Sequence, residues 1–206
     1  MKPILFNTRE VQATLGGRMT AVRRPIFPEK DLRPFPMKNS PYGWWFRGRA
    51  YRNWNDAMWE PQGVMSLCRY KPGDILYVRE TFATLLYPDG RIRYVYKATD
   101  KYPFGEIYVA LFRWHPSVQM PKEAARIFLR VTDVKVDRLQ CITREEALRE
   151  GANPACAVMD YKAIWNNPIK KADLPVYGWD ANPWVEVTRF ERISREEAEN
   201  DKKRND

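Results

Sequence analysis

The chain has 206 residues, 35 of them Lys or Arg against 26 Asp or Glu, with a single histidine and three cysteines. A formal net charge of +9 and a pI near 9.5 point to polyanionic partners, and the absence of any long apolar run argues against a membrane span. Cys68, Cys141 and Cys156 are odd in number and scattered, so reduced thiols in a cytoplasmic protein are expected, and with His115 alone neither a zinc site nor a cofactor is.

The N-terminus lacks a basic start followed by an apolar core, so no secretion signal is expected. Pro3 to Phe6 reads as a first strand. Asn7 then caps a helix, with Glu10 as its reciprocal partner and Val11 and Leu15 one turn apart on its inner face. Gly16 or Gly17 ends that helix in the left-handed conformation, and the chain re-emerges extended. Arg18, Thr20, Val22 and Arg24 share one face of this segment, and Met19, Ala21 and Arg23 the other. Pro25 stops further ladder pairing.

From residue 26 to residue 70 five prolines, with Pro25 just before them, rule out long regular elements, while Trp44, Trp45, Phe46, Tyr51, Trp54 and Trp59 interleave with Arg47, Arg49 and Arg52 around a turn at Gly48. Two readings stand side by side. The rings stack nucleic-acid bases while the arginines meet phosphates, or the rings pack as an insertion on the main body under arginine stems.

Pro72-Gly73-Asp74 turns into a core strand, Ile75 to Val78, that ends in the charged pair Arg79-Glu80, either a site or a rim salt bridge. Pro88-Asp89-Gly90 turns a hairpin into an alternating strand at Ile92 to Tyr96, and Ile107 to Phe112 reads as another short strand. His115 is expected to be structural, Pro121 to start a helical turn, and Ile127 to Val136 to form a long strand.

Thr143 and Glu146 make a capping box for the clearest helix, which stops at Gly151. Its last turn carries Glu150, a carboxylate at the negative end of the helix dipole. Something else must draw it there, a cation such as Arg18 or Arg24 or simple exposure. A helix at Val158 to Trp165, a loop carrying Trp179, an alternating strand at Trp184 to Ile193, a last helix capped by Ser194 and Glu197 and, beyond it, a charged tail expected to fray complete the chain.

About six short, mostly antiparallel strands with helices at the connections predict an α+β protein built on a small closed or half-closed β-barrel, with a long aromatic-rich insertion at about 26–70. Gly17-Arg18-Met19-Thr20 running to Arg24, Pro72 to Glu80, Asp137 to Thr143 with Glu150-Gly151, and Tyr177 to Trp184 resemble the ASCH branch of the PUA-like superfamily, in particular a prophage-borne group within it. The resemblance implies a PUA-like pseudobarrel over residues 1–193 with a cleft for RNA, single-stranded nucleic acid or a modified nucleotide. An enzyme of that family hydrolyses acetylcytidine with a Lys, a Thr and a Glu. Its Glu matches Glu150 and the family arginine matches Arg24, whereas the Lys position holds Met19 and the Thr position Val22.

Two functions follow. In the first, Arg18, Arg23, Arg24 and Glu150 line a nucleotide-binding cleft with Glu80 and Trp179 at its edge, and Trp44, Trp45, Arg47, Arg49 and Arg52 hold flanking nucleotides. In the second, Glu150 activates water or Thr20 in an amidohydrolase-like reaction with Arg24 at the oxyanion. A phage protein that meets an acidic host protein is a third possibility.

Overall fold

The structure, a computed structural model, describes residues 1–26, 32–37, 40–46, 49–51, 64–86, 90–100 and 113–205. In chain order the first half holds β1 (Lys2–Leu5), α1 (Thr8–Leu15), β2 (Ala21–Pro25), β3 (Leu32–Met37), β4 (Ser40–Phe46), β5 (Arg49–Tyr51), β6 (Ile75–Arg79), β7 (Phe82–Leu86) and β8 (Ile92–Tyr96). The second holds β9 (Phe128–Arg138), α2 (Arg144–Arg149), α3 (Ala157–Asn166), α4 (Leu174–Tyr177), β10 (Trp184–Ile193) and α5 (Arg195–Asn205). The protein is mixed α+β with mostly antiparallel sheets, and among the described residues no barrel closes. Two compact units form. One gathers Met1–Thr20, Gly73–Val131 and Phe190–Asp206, the other Ala21–Pro72 and Thr132–Arg189.

In the first unit β6 is the middle strand. It pairs in parallel with β1, from Lys2↔Leu76 to Leu5↔Arg79, and antiparallel with the start of β9 through Ile75↔Arg130 and Tyr77↔Phe128. Leu76 and Val78 are buried, as an apolar strand with a neighbour on each side requires. Asn7 and Glu10 form the expected capping box of α1, and Gly17, at φ 69°, takes the left-handed turn that ends it. β7 and β8 make the expected hairpin. His115 bridges to Phe82 through both backbone groups and lays its ring 5.4 Å from the phenyl, which makes it structural. The last helix expected after Ser194 is α5, and it continues to Asn205 through charged residues expected to fray. Ser194 and Glu197 cap it reciprocally, Ala198 is fully buried, and Arg130 holds Asp201 at 2.7 Å. The strand expected at Ile107 to Phe112 lies outside the described residues.

In the second unit β10 lies between β9 and β2. Val185↔Pro25 through Arg189↔Ala21 set its antiparallel register with β2. One apolar cluster, including Leu139, Ile142, Ala147, Tyr161, Trp165, Val185 and Val187, packs α2 and α3 onto β10. Tyr161 and Trp165 turn inward from α3 as their spacing predicts, whereas Val158 is exposed. β3, β4 and β5 form a separate three-stranded antiparallel sheet, with the β4–β5 hairpin pairing Phe46 with Arg49. β3 is a strand despite Pro34 and Pro36. It runs at the sheet's edge, where a missing N–H breaks no inner ladder, and Pro36 falls in a register shift.

Candidate functional site

The candidate site belongs to the second unit and begins with α2. Thr143 accepts the Glu146 N–H and Glu146 reaches back to the Thr143 N–H, so the capping box fixes the Glu146 side chain at the helix start. Gly151, at φ 84°, stops the helix one residue after Glu150. Both carboxylates then face the Arg23 position of β2.

Arg23 is the hub. Its side chain is wholly buried, one guanidinium nitrogen donates to Glu150 and the other to Glu146 at 2.6 Å. The Arg23 backbone N–H donates to Glu150 Oε2 at 3.1 Å, and the Tyr161 hydroxyl, carried by α3, donates to the same oxygen at 2.7 Å. Glu146 Oε1 receives Lys135 at 2.7 Å and Arg189 at 3.2 Å. Arg189 also pairs with Asp133, and Lys135 with Asp137. Burial pushes the Glu146 carboxyl up, but the Lys135 hydrogen bond and the charges of Arg23 and Lys135 outweigh it and hold the group at about 2.

The cation that draws Glu150 to the end of α2 is therefore Arg23, not Arg18 or Arg24. Alternation along β2 puts Arg23 on the α2 side of the sheet, and Arg24 on the opposite side. Arg23, expected among the nucleotide contacts, is consumed by carboxylates of its own chain and has no surface to offer. Glu150 has its oxygens occupied by three donors, and the only hydroxyl among them is that of Tyr161. Thr20 and Arg18 are exposed and lie in the first unit.

The other side of the β2–β10 ladder carries a polar cluster that the sequence reading missed. Arg24 is cross-strand from Glu186, and Val22 from Thr188. The buried Glu186 carboxylate accepts the Arg69 N–H at 2.9 Å, the Tyr70 N–H at 3.3 Å and the Thr188 hydroxyl at 3.1 Å, tying residues 69–70 to β10. Burial, helped by Glu186, pushes the Cys68 thiol up to about 12, so this cysteine stays a thiol. A signal was present in the sequence. Glu186 and Thr188 are polar residues at i and i+2 in a strand whose other members are mainly apolar.

Trp179, expected at a cleft edge, is half-buried, and its ring meets Tyr161 edge-on at 6.3 Å. Its loop is held from several sides. Asn166 accepts the Trp179 N–H, Gln140 donates to the Trp179 carbonyl, and Arg138 donates to the Asn182 carbonyl. Asn182 is in the left-handed region at φ 47°, and its side chain accepts the Gln140 N–H. Gly178 precedes the tryptophan with an ordinary extended backbone, but a Cβ there would stand 2.5 Å from the Leu174 carbonyl oxygen.

Glu80, also expected at the edge, belongs to the first unit and is buried, both oxygens held by the Arg126 fork at 2.8 and 2.9 Å. Arg126 in turn lies 3.9 Å over the Tyr96 ring. An internal pair at a strand end is thus the role of Glu80. Trp44 and Trp45 lie on β4 and Arg49 on β5, while Arg47 and Arg52 lie outside the described residues. Among the described residues no helix is long and apolar enough to cross a membrane, and no group of three His, Cys, Asp or Glu is placed to hold a metal. No family model, no curated protein and no solved structure matches the chain.

Proposed function

We propose that this chain binds single-stranded nucleic acid, RNA above all, or a modified nucleotide through its second unit, as a PUA-like ASCH protein. The observation that carries the reading is Trp179, a half-exposed ring propped on Tyr161 by a loop whose backbone is fixed by Gln140, Asn166 and Arg138. An aromatic face fixed before binding loses little freedom when a base stacks on it. Just before it in the chain, Lys170 and Lys171 are exposed and make no ion pair among the described residues, leaving both cations for phosphate.

Binding is favoured over hydrolysis because Glu150, the one position that matches the family's catalytic set, is buried and turned to Arg23 and Tyr161 of its own chain rather than toward a substrate. Fluorescence anisotropy with a labelled single-stranded RNA tests the reading. Affinity is expected to fall with salt by about 0.7 log units per phosphate contact for each decade of salt. Trp179→Ala is expected to weaken binding by about 1–3 kcal/mol, and the Lys170→Ala, Lys171→Ala pair to flatten the salt slope. No binding to single-stranded RNA or free nucleotides at low ionic strength overturns it.

A further inference from the structure

The loop that carries Trp179 is pinned by two side-chain amides, and each spends only one end on the task. Gln140 Nε2 donates to the Trp179 carbonyl at 2.8 Å, and Asn182 Oδ1 accepts the Gln140 N–H at 2.8 Å. Those partners fix which end is which, since a backbone carbonyl takes only a donor and a backbone N–H only an acceptor. Left over are the Gln140 oxygen, an acceptor, and the Asn182 amide nitrogen, a donor, and neither has a partner among the described residues. The Asn182 N–H also reaches the Trp179 carbonyl, at 3.0 Å, so both residues converge on the one that bears the indole. Asp180, next to the ring in the chain and 81% exposed, gives one oxygen to Lys162 at 2.8 Å and keeps the other as a second acceptor.

We propose that Gln140 and Asn182 read the edge of a base stacked on Trp179 and select one that carries an exocyclic amine, as cytosine and adenine do, against uracil. The inference rests on the nucleic-acid reading above and adds to it what the base must be. Cytosine and adenine each present an amine beside a ring-nitrogen acceptor, the complement of an acceptor beside a donor. The amine donates to the Gln140 oxygen and the ring nitrogen accepts from the Asn182 amide. Uracil instead sets two carbonyl oxygens around a single N–H. Against one donor and two acceptors, one of those oxygens is left facing another oxygen. Both amides are tied to backbone before any base arrives, so the wrong edge meets groups that cannot turn to suit it.

The test is fluorescence anisotropy with labelled oligocytidine and oligouridine RNAs of equal length, two pyrimidines that differ at this edge and stack nearly alike. Asn182→Asp keeps the oxygen that accepts the Gln140 N–H and suits the left-handed backbone at that position, and it exchanges only the outward donor for an acceptor. Gln140→Lys keeps a donor for the Trp179 carbonyl and removes the outward acceptor. The first adds negative charge and the second positive, which shift affinity for every RNA in opposite directions, so a change of preference common to both is not an effect of charge. The parent is expected to bind oligocytidine about fivefold or more tighter than oligouridine, and both variants to bring that ratio toward one. A parent that binds both RNAs equally, or a parental ratio that persists in either variant once folded, overturns the inference and leaves nucleic-acid binding standing. A parent that binds no RNA overturns both.

Discussion

Each unit buries a glutamate against an arginine, and the two pairs are built differently. In the first unit Glu80 meets one fork, and Arg126 on the other side of it remains 27% exposed and rests on an aromatic face. In the second unit the Arg23 side chain is 0% exposed and divides itself between Glu146 and Glu150, which in turn gather Lys135, Arg189 and Tyr161. The first arrangement can lose a partner and let water take its place. The second cannot, because nothing but protein surrounds the central cation. A buried charge is secure only while every neighbour is present.

Breaking the hub is therefore the most costly change. Arg23→Met is expected to lower the unfolding free energy by about 3–5 kcal/mol, since it leaves Glu150 buried without a cation and takes one of three from Glu146, and urea denaturation followed by tryptophan fluorescence reads it. Glu80→Gln is expected to cost about 1–3 kcal/mol in the same assay, because Arg126 can turn to solvent and its stack on Tyr96 survives. A loss for Glu80→Gln as large as that for Arg23→Met would erase the distinction between the pairs.

Acid sharpens the comparison more gently. Glu146 is depressed to about 2 in the folded protein, from an ordinary value of 4.5. A depressed carboxyl contributes stability that is complete above the ordinary value and is lost as the pH falls through the folded one. Stability is thus expected to decline between pH 4.5 and pH 2, and Glu146→Gln is expected to remove part of that slope. Parallel curves for the two proteins would show that Glu146 is not a source of the decline.

Local chemistry was readable in the sequence. The Asn7–Glu10 and Thr143–Glu146 boxes, the stops at Gly17 and Gly151, and the β7–β8 and β4–β5 hairpins each depend on residues within a few positions of one another. That Glu150 was held by a cation could also be argued from the helix dipole alone. Which cation could not. Alternation divides a strand into two faces without saying which one a distant helix covers, so Arg24 and Arg23 were separated but the wrong one, Arg24, was placed with Glu150. The β3 strand was missed for a related reason. Its prolines argue against a strand until its place at a sheet edge is known. The Glu186–Thr188 pair depends on contacts with residues 69–70, more than a hundred positions away in sequence.

The close approach at Gly178 sets a limit on how the Trp179 loop can vary. Its dihedrals suit any amino acid, so what the position demands is emptiness rather than bending. Even one methyl would collide with the carbonyl of Leu174 and push the indole off its phenol support, moving the face that the proposed base stacking would use without touching a single charged group. Alanine at 178 would thus be a silent change by every rule of polarity and a disruptive one by volume alone.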